Sequence, residues 1–375
     1  MPEQYQRWME QALRAAARGR GTVEPNPLVG AVIIDSQGEV VAVGWHERFG
    51  GPHAEVIALR QAGDRARNGT LVVTLEPCCH YGKTPPCTEA IISAGIRRVV
   101  AALTDPFPHV AGQGFQRLRQ AGIEVIVGVG ERAASQLNAP YLKRLRQAQP
   151  WVHAKWAMTL DGRLAPPQAS AHWISNEASR RLVHQLRGRM DAILVGAGTV
   201  WLDDPLLTAR PPGPRVARRV VVSARGQLPP DCQLLRTAHE VPTLLYVGSE
   251  ALPLTRTWQQ AGVEVVPIAE EHNQDGLIRL PVAAILTDLY QRGCTNILVE
   301  GGTGLLSSFW QADAIDEWHV FVAPVLLGGG PSPLYGRSAA TMKDALQLAQ
   351  VTVTPCDDNA YLHGFTPRGP FAPDS

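Results

Sequence analysis

Residues 52–87 read PHAEVIALRQAGDRARNGTLVVTLEPCCHYGKTPPC, and their order decides the fold. His53-Ala54-Glu55 opens a helical stretch behind Gly50-Gly51-Pro52. Residues 70–75 form a β-rich run, Pro77-Cys78 follows it, and eight residues separate Cys78 from Cys87. One imidazole and two thiolates make a three-ligand zinc set that leaves a fourth position for water. His53 and Cys87 both fall at predicted helix starts, where the positive end of the helix dipole favours a thiolate. Glu55 stands two residues from His53 and is free to move a proton between that water, a ring nitrogen and a leaving amine. This is the H-x-E…P-C…C arrangement of zinc nucleobase deaminases. A lone His-Ala-Glu arises often by chance. Two cysteines alone would be half a structural site, with Cys79 and His80 the nearest groups to complete it. Placement decides between these readings, because the His-Ala-Glu starts the helix after a hairpin and the Pro-Cys ends the next strand. The choice of zinc rests on ligand type.

Outward from this stretch, helices and strands alternate. Residues 5–18 read as a helix with Trp8, Ala12, Ala15 and Ala16 on one face. Residues 29–34 and 39–44 flank Ser36-Gln37-Gly38 as a hairpin. Helices over 53–62, 87–94 and 113–121 interleave with strands over 70–75, 97–103 and 123–127. Such alternation predicts α/β layering around a mainly parallel sheet. A polar helix over 131–147 then meets Gln149-Pro150, which places a domain boundary between 148 and 149. A second series follows, with strands over 151–158, 191–195, 219–222, 242–247, 263–268, 296–300 and 317–323, and helices over 176–187 and 281–292. The second domain is expected to run over 149–366. Residues 367–375, with Pro367, Pro370 and Pro373, read as a flexible tail.

Within this second series, Met158-Thr159-Leu160-Asp161-Gly162-Arg163 follows a strand. Gly196-Ala197-Gly198-Thr199-Val200 leads to Asp203-Asp204-Pro205, and Gly301-Gly302-Thr303-Gly304 leads into a helix over 305–311. A strand, a glycine-rich turn and a helix start together cradle a phosphate with backbone N–H groups. No G-x-G-x-x-G fingerprint is present. From the residues alone this is either a phosphate or nucleotide site, or a set of tight turns joining layers.

The chain has 375 residues, 45% of them apolar, which suits two ordinary domains. Lys+Arg 35 against Asp+Glu 34 leaves a net charge of +1, which argues against a polybasic nucleic-acid coat or an acidic disordered tail. No apolar run approaches the ~20 residues of a membrane span. The N-terminus has no secretory h-region, so a cytoplasmic enzyme without membrane or nucleic-acid partners is expected. Six cysteines are too few for a disulfide scaffold.

The runs Pro25-Asn26-Pro27-Leu28-Val29-Gly30-Ala31-Val32, Pro52-His53-Ala54-Glu55 and Thr74-Leu75-Glu76-Pro77-Cys78-Cys79-His80-Tyr81-Gly82-Lys83-Thr84-Pro85-Pro86-Cys87 resemble the bifunctional riboflavin-biosynthesis deaminase–reductases. The wide cysteine spacing fits that family rather than the cytidine or transfer-RNA deaminases. The resemblance implies an N-terminal cytidine-deaminase-like α/β/α domain and a C-terminal dihydrofolate-reductase-like α/β domain that uses NADPH. It implies deamination of 2,5-diamino-6-ribosylamino-4(3H)-pyrimidinone 5′-phosphate, then reduction of 5-amino-6-(5-phosphoribosylamino)uracil, in a homo-oligomer. It also places Asn26, His80, Lys83, Thr84 and Asp105 around the deaminase substrate. By the same likeness Ala157, Trp173, Thr199, Asp203 and Gly302, Thr303, Gly304, Leu305, Leu306, Ser307 and Ser308 hold the cofactor. Ala171, Arg187, Leu207, Arg210 and Glu300 hold the reductase substrate, and an Arg pair suits a dianionic phosphate. Glu300 and Asp203 are the candidates for the reductase proton donor. Cys79, Phe107, Ala171 and Ser223-Ala224 depart from the family pattern, where Ser, Asn, Ser and Asp-Ser are usual. Two rival readings are a nucleic-acid-acting deaminase with a recognition domain and a zinc-stabilised scaffold. The balanced charge argues against the first and the intact Glu55 against the second.

Overall fold

The computed structural model describes residues 3–81, 85–165, 173–272, 276 and 278–372. The chain divides into two compact units, one ending at Ala148 and one starting at Gln149.

The first unit runs α1 Glu3–Ala16, β1 Gly30–Ile34, β2 Val40–Trp45, α2 Ala54–Ala62, β3 Thr70–Val73 and α3 Cys87–Ser93. It continues with β4 Arg98–Ala101, α4 Gln113–Gln120, β5 Glu124–Val127, α5 Glu131–Leu137 and α6 Ala139–Gln147. Its sheet has the order β2-β1-β3-β4-β5. The β1 strand is antiparallel to both neighbours, whereas β3, β4 and β5 are parallel. Two apolar clusters pack on its faces, one under α2, α3 and α4, the other under α1, α5 and α6. The face that α1 buries is Tyr5, Met9, Ala12, Ala15 and Ala16, while the expected Trp8 is only half-buried. Gly44 lets α2 lie close on the hairpin: a Cβ there would stand 2.5 Å from the Ala54 carbonyl oxygen.

The expected single helix over 131–147 is two helices. The break at Asn138 serves a purpose. Its amide oxygen accepts from Leu28 N–H at 2.8 Å and its amide nitrogen donates to the Leu28 carbonyl at 3.0 Å. This buried clamp fixes the loop that carries Asn26. Pro140 is the sequence signal, since it has no N–H to bond the preceding turn and is tolerated in the first turn of a helix.

The second unit runs β6 Trp151–Thr159, α7 Glu177–Arg187, β7 Ala192–Gly196, α8 Ala197–Asp203, β8 Arg218–Ser223, α9 Gln233–Arg236, β9 Thr243–Gly248 and α10 Arg256–Gln260. Then come β10 Glu264–Ile268, β11 Glu271–His272, β12 Ile278–Arg279, α11 Val282–Gln291, β13 Asn296–Glu300 and α12 Thr303–Gln311. It closes with β14 Glu317–Ala323, β15 Ala349–Cys356 and β16 Asn359–Phe365. The large sheet has the order β10-β9-β8-β7-β13-β6-β14-β16-β15. The strands from β10 to β14 are parallel, and β16 and β15 add antiparallel at the edge. Apolar clusters cover both faces, as a largely parallel sheet requires.

Three expectations change here. Residues 197–203 are the helix α8 rather than a bare turn. The hairpin β15–β16 was not expected; its turn carries Asp357 at φ 53° without a glycine to announce it. The tail expected over 367–375 is docked as far as residue 372. Phe371 is 2% exposed, and its ring lies 4.0 Å from that of Phe365, stacked at 10°. Residues 373–375 lie outside the described residues.

Candidate active sites

The first site gathers at one end of the smaller sheet. His53 immediately precedes α2, and Cys87 is the first residue of α3. His53 Nδ1 stands 3.2 Å from Cys87 Sγ and 3.5 Å from Cys78 Sγ. The Cys87 N–H donates to Cys78 Sγ at 3.3 Å. Atoms ~2.0–2.3 Å from a tetrahedral zinc stand about 3.3–3.8 Å apart, so both His53 edges are close to the length such an ion requires, and all three ligand atoms lie within 4.8 Å of one another. Hydrogen bonds from Cys87 and His53 outweigh burial and hold the Cys78 thiol down to about 4, so a thiolate is stabilised there. Cys78 and burial push Cys87 up, and the Cys78 partner raises His53 to about 8. Beside this triangle Glu55 is 3% exposed, and its Oε2 has no hydrogen-bond partner. Burial pushes its carboxyl up.

Around the triangle, Asn26 Nδ2 donates to His46 Nε2 at 3.2 Å, and His46 Nδ1 donates to the Pro52 carbonyl at 3.0 Å. A carbonyl can only accept, and burial keeps His46 neutral, so the pair fixes the Asn26 amide with its oxygen outward. His80 presents a buried Nδ1 with no partner. Asp105 accepts from Tyr141 Oη at 2.9 Å and from Phe107 N–H at 2.9 Å, while burial raises its pKa. Glu76 orders the same loop by accepting from the N–H groups of Asp105, Gly112 and Phe115. Cys79 turns away from the triangle and donates to the His109 carbonyl at 3.7 Å. Phe107 packs its ring against His80 and His109. Lys83 and Thr84 lie outside the described residues.

The second site is a cleft of about 690 Å³ at the carboxyl ends of the parallel strands. Ala157, Thr199, Asp203, Gly302, Thr303, Gly304, Leu305 and Ser308 line it. Leu306 and Ser307 do not: helical rotation turns both into the interior, each 0% exposed, and the Ser307 hydroxyl accepts from Tyr335 N–H. Gly302 has φ 72°, and a Cβ there would meet Thr199 Oγ1 at 2.9 Å. Trp173 is 76% exposed and does not line the cleft; Arg180 lies over its ring. Ala171 lies outside the described residues.

Glu300 ends β13, where its register partner on β6 is Lys155. Arg187 Nε and Nη2 donate to the two Glu300 oxygens at 2.6 and 2.7 Å, and Lys155 Nζ stands 3.6 Å away. Burial would raise the Glu300 carboxyl, but these two cations hold it down to about 2. Arg187 Nη1 donates to the Thr208 carbonyl, so three of the five guanidinium N–H groups have protein partners and two are left for a ligand. Leu207 is 2% exposed at φ 54° and can offer a ligand only its backbone. The Arg210 guanidinium has no ion-pair partner among the described residues; the Arg210 backbone N–H donates to His184 Nδ1.

Residues 150–360 match the family description "RibD C-terminal domain", and residues 2–103 match "Cytidine and deoxycytidylate deaminase zinc-binding region". The riboflavin biosynthesis protein RibD of Aquifex aeolicus is 41% identical over 326 residues, covering 87% of this chain and 88% of that protein. The chain belongs to the RibD family. The RibD protein of a Synechocystis species is 40% identical over 92% of this chain and 91% of its own length. The structure of Acinetobacter baumannii RibD superposes with a TM-score of 0.84 at 35% identity, covering 98% of this chain and 99% of that one. A Thermotoga maritima diaminohydroxyphosphoribosylaminopyrimidine deaminase/5-amino-6-(5-phosphoribosylamino)uracil reductase gives a TM-score of 0.80 at 33% identity, over 97% of this chain and 99% of that one.

As a RibD-family member the chain is a bifunctional riboflavin-biosynthesis enzyme, with a zinc-binding deaminase region followed by a reductase. Four positioning residues around these RibD sites escaped the sequence reading: His46, Glu76, Asn138 and Lys155. Lys155 follows the boundary inside an apolar strand, where a charge is a usable signal. His46 carried none, because a lone histidine beside a hairpin has no distinguishing spacing. Among the described residues, no helix is long and apolar enough to cross a membrane.

Proposed function

We propose that the first unit hydrolytically removes the ring amine of the diaminopyrimidine ribosyl phosphate, with His53, Cys78 and Cys87 holding one zinc ion. The observation that carries this is the buried, partnerless Glu55 oxygen beside three ligand atoms that lie within 4.8 Å of one another. Zinc, when bound, supplies the Lewis acidity that makes water a nucleophile near neutral pH. Glu55 accepts the proton that water gives up, delivers it to the ring nitrogen, and then serves the departing amine. The C–N bond breaks, oxygen takes its place on the ring carbon, and ammonia leaves. Asn26, held by His46, offers its amide oxygen to an N–H of the ring. Asp105 and His80 supply further polar groups, and Lys83 and Thr84 complete the phosphate end.

In the second unit the cleft takes NADPH along Ala157, Thr199, Asp203, the Gly302 turn, Leu305 and Ser308. NADPH, when bound, supplies the hydride. The C1′–H bond forms as the ribosyl C1′–O bond opens, and that oxygen takes a proton. Glu300 is ionised and cannot be the donor. Lys155 bears protons at the cleft wall, and burial lowers its pKa. Arg210 meets the substrate phosphate, and Arg187 positions Glu300. The enzyme works in the cytoplasm as a homo-oligomer. The edge strand β15, with Val351 51% and Val353 63% exposed, offers an apolar face that supports the second part.

Losing one charge-assisted hydrogen bond costs about 1.5–3 kcal/mol, or ~10–150-fold in affinity. Arg210→Ala is therefore expected to raise KM for the uracil phosphate within that range and leave KM for NADPH nearly unchanged. Gly302→Ala does the reverse, because its Cβ strains the turn against Thr199 where the cofactor phosphates lie. The two KM values, measured with the melting temperature, separate ligand effects from misfolding. If Arg210→Ala weakens NADPH and spares the substrate, the two ligands are exchanged.

A further inference from the structure

The reductase unit holds a second cluster of metal-ligating side chains, on strands β6, β14 and β16. Glu317 pairs in register with His153 on one side, and His319 pairs with His363 on the other. His153 and His319 are 5% and 0% exposed. His153 Nδ1 stands 3.1 Å from His319 Nε2 and 3.3 Å from Glu317 Oε2, and His319 Nε2 stands 3.4 Å from Glu317 Oε1. Nitrogen and oxygen atoms ~2.0–2.2 Å from a tetrahedral ion stand about 3.3–3.5 Å apart. The imidazole–imidazole distance and the two carboxylate distances, which end on different Glu317 oxygens, are close to that length.

The outer nitrogens of both rings are already held. His153 Nε2 donates to Asn296 Oδ1 at 3.3 Å, which turns the lone pair of Nδ1 inward. His319 Nδ1 lies 2.7 Å from Tyr361 Oη. Such partners set tautomer and ring direction behind a metal. Charge balance points the same way. Glu317 accepts from Trp151 Nε1, and its ion pairs among the described residues are all with imidazoles, His363 Nε2 being 2.8 Å away. Among the described residues no Lys or Arg salt bridge compensates this half-buried carboxylate.

We propose that His153, Glu317 and His319 bind one divalent transition-metal ion of the zinc class, with a fourth position left to water and His363 Nε2 bonded to the Glu317 carboxylate behind it. The ion ties β6 to β14. It carries no thiolate, which separates it chemically from the deaminase site. The competing account is a chain of hydrogen bonds from Tyr361 through His319 and His153 to Asn296, complete without any ion.

Zinc uptake by the full chain after chelator treatment decides between them. The wild-type chain is expected to take up about two zinc ions and the double variant Cys78→Ser/Cys87→Ser about one. Adding Glu317→Gln to that double variant removes the last ion. The melting temperature of the double variant rises with zinc, and Glu317→Gln abolishes the rise. If Glu317→Gln fails to fold, His153→Gln is the replacement, since it keeps a donor for Asn296. The proposal is overturned if the double variant binds no zinc, or if the zinc it binds survives Glu317→Gln and His153→Gln alike.

Discussion

Glu55→Gln is expected to lower deamination by about 10²-fold or more while zinc content and NADPH-dependent reduction stay at wild-type levels. The size follows from the task. The carboxylate takes and returns protons in the transition state, and the amide fills the same volume without being able to carry one. The structure adds that Glu55 Oε2 has no protein partner to lose, so the amide displaces none at that atom. Ammonia release, metal content, and reduction of supplied uracil intermediate are measured on one preparation. Loss of zinc would mean that the variant damaged the triangle. Appreciable ammonia release would mean that another group moves the proton.

Arg187→Met should cost the reductase unit about 3–5 kcal/mol, because it leaves Glu300 buried with only Lys155 beside it. At this unit's size that is a fall of roughly 6–20 °C in Tm, with reductase activity lost as the cleft floor rearranges. The dependence on pH has a definite sign. Glu300 is held down to about 2 in the folded unit from an ordinary value of 4.5, so its contribution is present above 4.5 and disappears as pH falls toward 2. The Tm gap between wild type and Arg187→Met should therefore narrow across that window. A gap that stays constant, or a variant as stable as wild type, would show that the Arg187–Glu300 pair does not hold the cleft floor.

What the sequence could and could not tell follows from the range of each signal. The His-Ala-Glu and Pro-Cys placements rest on local chemistry at fixed offsets from strand and helix ends, and the structure brings those three ligand atoms within 4.8 Å of one another. Strands rich in Val, Ile and Leu announce themselves by composition. The parts that stayed hidden depend on residues distant in the chain. The helix break at Asn138 exists to hold Leu28, 110 residues away. The pairing of Arg187 with Glu300 spans 113 residues, so nothing local in the helix end announced it. Leu306 and Ser307 sit in a glycine-turn run that suggested a continuous cofactor contact, yet helical rotation hides two of every turn's side chains. The hairpin β15–β16 was missed because β15 is largely exposed and its turn lacks glycine.

The most direct test gives the purified full chain the diaminopyrimidine ribosyl phosphate, with and without NADPH, and follows ammonia release and loss of NADPH absorbance separately. The account predicts ammonia in both mixtures. It predicts NADPH oxidation only where the cofactor is supplied, beginning after a lag while the deaminated intermediate accumulates. NADPH oxidation without ammonia release, or ammonia release with no oxidation even when the uracil phosphate is added directly, would contradict it.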